Sequence, residues 1–136
     1  MSLPFKRRAP LNSIPADLVS VADYARYAPD FIPHAIMEYI AGGGADEISL
    51  KRNRTALDEL HILPRALVNC TAGSTHTQVL GEPLRHPLLL APVAFQTLVH
   101  PEGELGTAEA ASVLETGMIA STLASYSLEE IAARCS

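Results

Sequence analysis

The stretch "HPLLLAPVAFQTLVHPEGELGTAEAASVLETGMIAST", residues 86–122, constrains this chain more than any other. It reads as an apolar strand, a long and mostly apolar connection, a helix and a second strand of small residues. A connection of that length joins parallel neighbours, because antiparallel strands need only a tight turn. The pattern predicts strands over 88–91 and 118–122, and between them a helix over 104–115 closed by Gly117. Continuous rather than alternating hydrophobicity in the first strand suits burial on both faces. Two parallel strands cannot bury themselves, so the expected domain is incomplete, its other half coming from a separate chain or a further segment.

Upstream, residues 1–16 carry Pro4, Pro10 and Pro15 and the basic cluster Lys6, Arg7 and Arg8, and are expected to form an irregular, solvated arm. Helical spacing begins at Asp17, with Leu18, Val21, Ala22 and Ala25 on one face. Pro33 suits the first turn of a second helix bearing Ile36, Met37 and Ile40 and ended by Gly42, Gly43 and Gly44. A third helix over 46–60 would turn Ile48, Leu57 and Leu60 to the core and Lys51, Arg52 and Arg54 to water or a partner. Pro64 breaks the pattern, leaving 17–75 as a helical cap and linker. Residues 76–136 open with a short hairpin turning at Gly81 and Glu82, and Ser127 with Glu130 has capping-box spacing for a last helix.

Composition narrows the function. At 136 residues, 48% hydrophobic and 18% charged, the chain suits one modest globular core, and a formal charge of −5 argues against nucleic acid or a membrane surface as partner. No apolar run nears the roughly 20 residues that cross a bilayer. Two distant cysteines, Cys70 and Cys135, form neither a disulfide framework nor a C-x-x-C metal site, which makes a reducing, cytoplasmic setting the expectation. There is no G-x-G-x-x-G, phosphate-binding loop or H-E-x-x-H motif.

In parallel α/β folds the loops leaving the C-terminal strand ends build the site, so 92–103 and 123–126 are the candidate segments. Both are poor in charge and rich in small or apolar residues, which suits a wall against a flat aromatic cofactor, although an ordinary covered loop fits the same composition. His34, His61, His76 and His86 read as solvent or turn residues. His100 lies in the first loop, where Pro101, Glu102 and Gly103 equally suit a turn that starts a helix. Read from spacing alone, Tyr39 is a packed ring whose hydroxyl reaches water or a carbonyl.

The segments "SVADYARYA", "PHAIMEYIAGGGADEISLKRNRTALDEL", "LPRALV", "LLLAPVAFQTLVHPEGELGTAEAAS" and "SLEEIA" resemble, in order, those of the FMN-dependent 2-hydroxy acid oxidases and dehydrogenases, the family of glycolate oxidase, lactate oxidase and mandelate dehydrogenase. The resemblance spans about residues 20–134. It implies an α/β fold, the N-terminal part of a (β/α)8 TIM barrel comprising helical cap, opening hairpin and first two βα units. Pro92, Val93 and Ala94 would then lie along the FMN ring, chiefly through backbone contacts, with valine standing where many members have threonine. Ser121 matches a serine that hydrogen-bonds the flavin, and Tyr39 a tyrosine that meets the substrate carboxylate. Leu123 replaces the tryptophan of glycolate oxidase, which implies a different substrate pocket.

The implied reaction converts a lactate-like 2-hydroxy acid to a 2-oxo acid by hydride transfer to FMN, with no metal. The base histidine and the carboxylate-binding arginines would belong to the remaining C-terminal part of the barrel, and the complete protein would form a homo-oligomer, a tetramer in many relatives. Two alternatives stand beside this: another FMN barrel related to isopentenyl diphosphate isomerase or inosine monophosphate dehydrogenase, and a non-catalytic assembly module.

Overall fold

The computed structural model describes residue 8 and residues 11–135, which fall into two compact units, 1–66 and 67–136. Lys6, Arg7, Pro4 and Pro10 lie outside the described residues. Arg8 forms an ion pair with Asp30 at 3.0 Å.

The first unit is helical. Its pattern begins later than the spacing of Leu18 and Val21 suggests, with a 3-10 turn over Val21–Asp23 followed by α1, Tyr24–Phe31. A local cap is the reason. The Asp23 carboxylate accepts hydrogen bonds from the Ser20 and Val19 amides at 2.8 and 3.1 Å and from the Ser20 hydroxyl at 2.8 Å, holding Ser20 extended. Arg26 braces this start by donating to Asp23 and to the Asp17 carbonyl, both at 2.9 Å. The Tyr27 hydroxyl meets the Asp17 carboxylate at 2.7 Å, which holds that carboxyl below its usual range and pushes the phenol up.

Helix α2, His34–Ala41, starts after Pro33, whose carbonyl accepts from the Ile36 and Met37 amides at 2.9 Å; the proline thus precedes the helix and does not occupy its first turn. Gly42 ends it, and a Cβ there would lie 2.5 Å from the Glu38 carbonyl oxygen, so this close approach needs glycine. Helix α3, Ile48–Asp58, begins two residues later than expected because Glu47 is left-handed, with φ 58, and turns its carboxylate back to the Gly43 amide at 3.1 Å. Lys51, Arg52 and Arg54 are exposed as expected. Ile48, Leu57 and Leu60 are exposed as well, contrary to their predicted place in a core. The unit is too thin to cover them, Ile32 being its buried apolar residue among those described.

The second unit opens on the antiparallel hairpin β1, Thr77–Val79, and β2, Glu82–Leu84. Its turn is Leu80–Gly81, one residue before the predicted position: both have positive φ, 52 and 91, and Glu82 already pairs with Val79. Strand β3, Leu89–Leu90, then pairs in parallel with β4, Gly117–Met118, through the intervening helix α4, Gly103–Val113. The parallel strand–helix–strand unit is therefore present, but each strand is shorter than its apolar run. Gly117 belongs to β4; α4 ends instead at Leu114 and at Glu115, which takes φ 50.

Leu89 and Leu90 are 42% and 36% exposed, so β3 is not covered on both faces among the described residues. Small residues let α4 lie close: Ala108 and Ala111 are buried, and Ile131 is buried on α5, Leu128–Ala132. The Ser127–Glu130 capping box starts α5 as predicted, with the serine hydroxyl 2.7 Å from the glutamate and accepting from its amide at 3.3 Å. His86 lies in a bend and is half-buried: its Nε2 lies 3.3 Å from the Leu114 carbonyl at the end of α4, and its Nδ1 is buried without a partner among the described residues.

Candidate functional site

The site lies where the second unit's two parallel strands end. Beyond β3, Pro92 and Val93 are exposed and Ala94 half-buried, and the chain then turns sharply at Phe95, φ 53, into a 3-10 turn over Gln96–Leu98. Beyond β4 come Ser121 and Leu123. The Ser121 hydroxyl accepts the Leu123 amide at 3.1 Å, which leaves its own hydrogen to donate elsewhere. The two loops are tied directly by the Phe95 amide on the Leu123 carbonyl at 3.0 Å, and by the Thr97 and Ser125 hydroxyls at 2.8 Å.

This brings five of the sequence-selected residues, Pro92, Val93, Ala94, Ser121 and Leu123, onto adjoining loops at one end of the strands. Val93 and Leu123 are 55% and 53% exposed. The Val93 and Ala94 amides donate to no acceptor among the described residues. Tyr39, the sixth, belongs to the first unit, on α2, with its ring 62% exposed rather than packed. His100 accepts the Glu102 amide on Nδ1 at 3.3 Å, the turn role that its Pro-Glu-Gly sequel suits.

A residue that sequence reasoning passed over holds the arrangement together. Glu104, near the start of α4, is fully buried. Its Oε1 accepts the Ser125 amide at 3.0 Å and the Gln96 amide at 3.2 Å, one from each loop, while Oε2 is buried with no hydrogen-bond partner among the described residues. Burial pushes this carboxyl up. The amides of Ser125, Glu104 and Gln96 and the Ser125 hydroxyl outweigh burial, and the carboxyl titrates below its ordinary value. Gln96 extends the network, accepting the Thr107 hydroxyl at 2.6 Å, and the Tyr126 hydroxyl donates to the Pro101 carbonyl at 3.1 Å. The only sequence signal was an acid at a helix start, which ordinarily marks an exposed partner of the helix dipole.

Gly103 allows the helix to begin against this knot. Its φ is 47, and a Cβ would lie 2.9 Å from Thr97 Cγ2 and 3.1 Å from Thr97 N. Only glycine fits both the conformation and the space.

The two segments, 92–103 and 121–126, are mostly apolar, with Glu102 as their one charged residue, and the Val93 and Ala94 amides and the Ser121 hydroxyl hydrogen have no acceptor among the described residues. Among the described residues no group of metal-binding side chains occurs. Such a wall suits a flat, neutral heteroaromatic ring edged with acceptor atoms, and suits a phosphate or a metal poorly. The ring of FMN, with its carbonyls and ring nitrogens, meets that description. No helix among the described residues is long and apolar enough to cross a membrane.

Comparison with known proteins gives the family. The model of the FMN-dependent dehydrogenase family matches residues 28–136. The chain is 43% identical over 114 residues to L-lactate oxidase of Nostoc sp., covering 84% of this chain and 31% of that protein. It is 45% identical over 115 residues to 4-hydroxymandelate oxidase of Amycolatopsis orientalis, covering 85% and 32%. Among solved structures, mandelate oxidase superposes with a TM-score of 0.79 at 45% identity over 85% of this chain and 34% of that one. A mandelate oxidase variant holding a C4a-OH-FMN adduct superposes with a TM-score of 0.77 at 44% identity, over 82% and 34%. The chain thus spans about a third of the length of the curated relatives it matches. On the extent of these matches, the chain belongs to the FMN-dependent dehydrogenase family.

Proposed function

We propose that this chain is the N-terminal portion of an FMN-dependent 2-hydroxy acid oxidoreductase that converts a lactate-like substrate to its 2-oxo acid. The observation that carries the reading is the apolar pair of loops at the strand ends, free of lysine and arginine, with the Val93 and Ala94 amides and the Ser121 hydroxyl hydrogen left without an acceptor among the described residues. In this reading 17–75 is the helical cap and linker, and 76–136 supplies the opening hairpin and first two βα units of a (β/α)8 barrel. The exposed faces of β3 are then covered by the rest of the barrel, which also brings the base histidine and the carboxylate-binding arginines. Relatives named as oxidases of lactate and 4-hydroxymandelate support the substrate class.

Bound FMN supplies the acceptor for the substrate's α-hydrogen and two electrons. The chain's own residues hold and orient. Pro92 and Val93 present an apolar face, the Val93 and Ala94 amides and the Ser121 hydroxyl donate to the ring's acceptor edge, and Leu123 shapes the pocket for the substrate side chain. Tyr39 donates its hydroxyl to the substrate carboxylate.

Two results are expected of the complete protein containing this chain. It retains about one FMN per chain through purification, measured as flavin fluorescence released on denaturation; a colourless, flavin-free protein contradicts the reading and favours an assembly module. Tyr39→Phe keeps the flavin but raises KM for the hydroxy acid roughly tenfold or more, the loss of one hydrogen bond to a charged group. An unchanged KM removes Tyr39 from the site.

A further inference from the structure

We propose that Glu104 is a positioning residue that sets the spacing between the two flavin-facing loops, and through it the affinity and environment of the flavin ring; this rests on the FMN reading above. Starting α4 needs only a short acceptor such as serine or threonine. The chain instead places a carboxylate in full burial, leaves Oε2 without a partner, and pairs it with no lysine or arginine among the described residues. A buried, half-satisfied carboxylate is costly, and this one is not the cap of α4, whose N-cap position is Glu102 without a side-chain bond.

What that carboxylate achieves is a link that no local cap can make. One oxygen fixes Gln96, two residues beyond Ala94, and Ser125, four residues beyond Ser121. The donors proposed for the ring lie on these same two loops, so their separation is set by one atom anchored on a third element. The direct Phe95–Leu123 and Thr97–Ser125 bonds act on the same interval and make it stiff. Charge on the acceptor strengthens both amide bonds in a site closed to water.

The test compares Glu104→Gln, Glu104→Asp and Glu104→Ala in the complete protein, stripped of flavin and titrated with FMN while its fluorescence is followed. Visible circular dichroism of the bound flavin and the melting midpoint of the flavin-free form are recorded for each. Glutamine keeps an oxygen able to accept both amides, so its Kd rises less than about threefold and the dichroism is retained. Aspartate is one methylene short and can hold one loop at a time, so Kd rises several-fold. Alanine releases both, with a rise of about tenfold or more and an altered flavin spectrum.

If Glu104→Ala gives no folded protein, the aspartate variant decides the matter. Aspartate and alanine variants that bind FMN with the parent Kd and spectrum, at whatever melting midpoint, overturn the positioning role alone. A parent protein that takes up no FMN overturns the functional reading and this inference together.

Discussion

Gly103→Ala is expected to destabilise the complete protein by roughly 2–5 kcal/mol, lowering its urea and thermal midpoints. A left-handed conformation costs an ordinary residue about 1–2 kcal/mol. Overpacking typically adds about 1–3 kcal/mol. Here the added methyl would meet Thr97 Cγ2 at 2.9 Å and the Thr97 backbone nitrogen at 3.1 Å. Rotating the threonine relieves only the first contact, and moving its backbone strains the bond from Thr97 N to the Ser125 hydroxyl at 3.3 Å. The damage therefore falls on the knot between the loops. Gly44→Ala is the control, since a Cβ there meets nothing within 4 Å. Equal midpoints for Gly103→Ala and the parent would show that the junction is not tightly packed.

Val93→Asp is expected to leave the fold intact while weakening FMN binding by about a hundredfold or more. Its side chain is 55% exposed and in the described chain covers little, so the stability change should stay within about 0.5 kcal/mol. A ring lying on the wall must strip water from the new carboxylate without giving it a donor, and about 3 kcal/mol of uncompensated desolvation is about a hundredfold in Kd. Val93→Thr, similar in size and uncharged, should bind FMN nearly as the parent does. A Val93→Asp protein with parental FMN affinity, measured by titration of the flavin-free form, would show that the ring does not lie there.

The parallel strand–helix–strand unit was legible because connection length and apolar runs report on it directly. Strand length was not, since an apolar run says what can be buried, whereas pairing depends on neighbours: β3 and β4 each have one partner among the described residues, and only two residues of each pair. The same logic that placed the Ser127–Glu130 box could have placed the 3-10 turn that leads into α1, had aspartate been admitted at the third position. Ser20 and Asp23 make that cap with a shorter side chain.

Within the candidate site, five of the residues selected from the sequence, Pro92, Val93, Ala94, Ser121 and Leu123, lie on the two loops that follow the strands, which are tied by the Phe95–Leu123 and Thr97–Ser125 bonds. Glu104 was hidden for a physical reason. Nothing in "PEGELG" distinguishes a solvated acid from one closed over by a loop that arrives some twenty residues later, since burial arises only when the segment around Ser125 folds back on the helix start. The left-handed Phe95 and Gly103 were equally silent, because a glycine before a helix reads first as a turn. Ile48, Leu57 and Leu60 were assigned to a core by periodicity, which identifies an apolar face without saying whether this chain supplies its cover.

Anaerobic titration of the complete, flavin-loaded protein with lactate, glycolate or mandelate, followed by visible absorbance, tests directly whether this chain helps build a 2-hydroxy acid oxidoreductase. Bleaching of the flavin bands, with one equivalent of the matching 2-oxo acid formed per flavin, is the predicted result. Bound flavin that stays oxidised with all three acids, while a control reductant bleaches it, would contradict it.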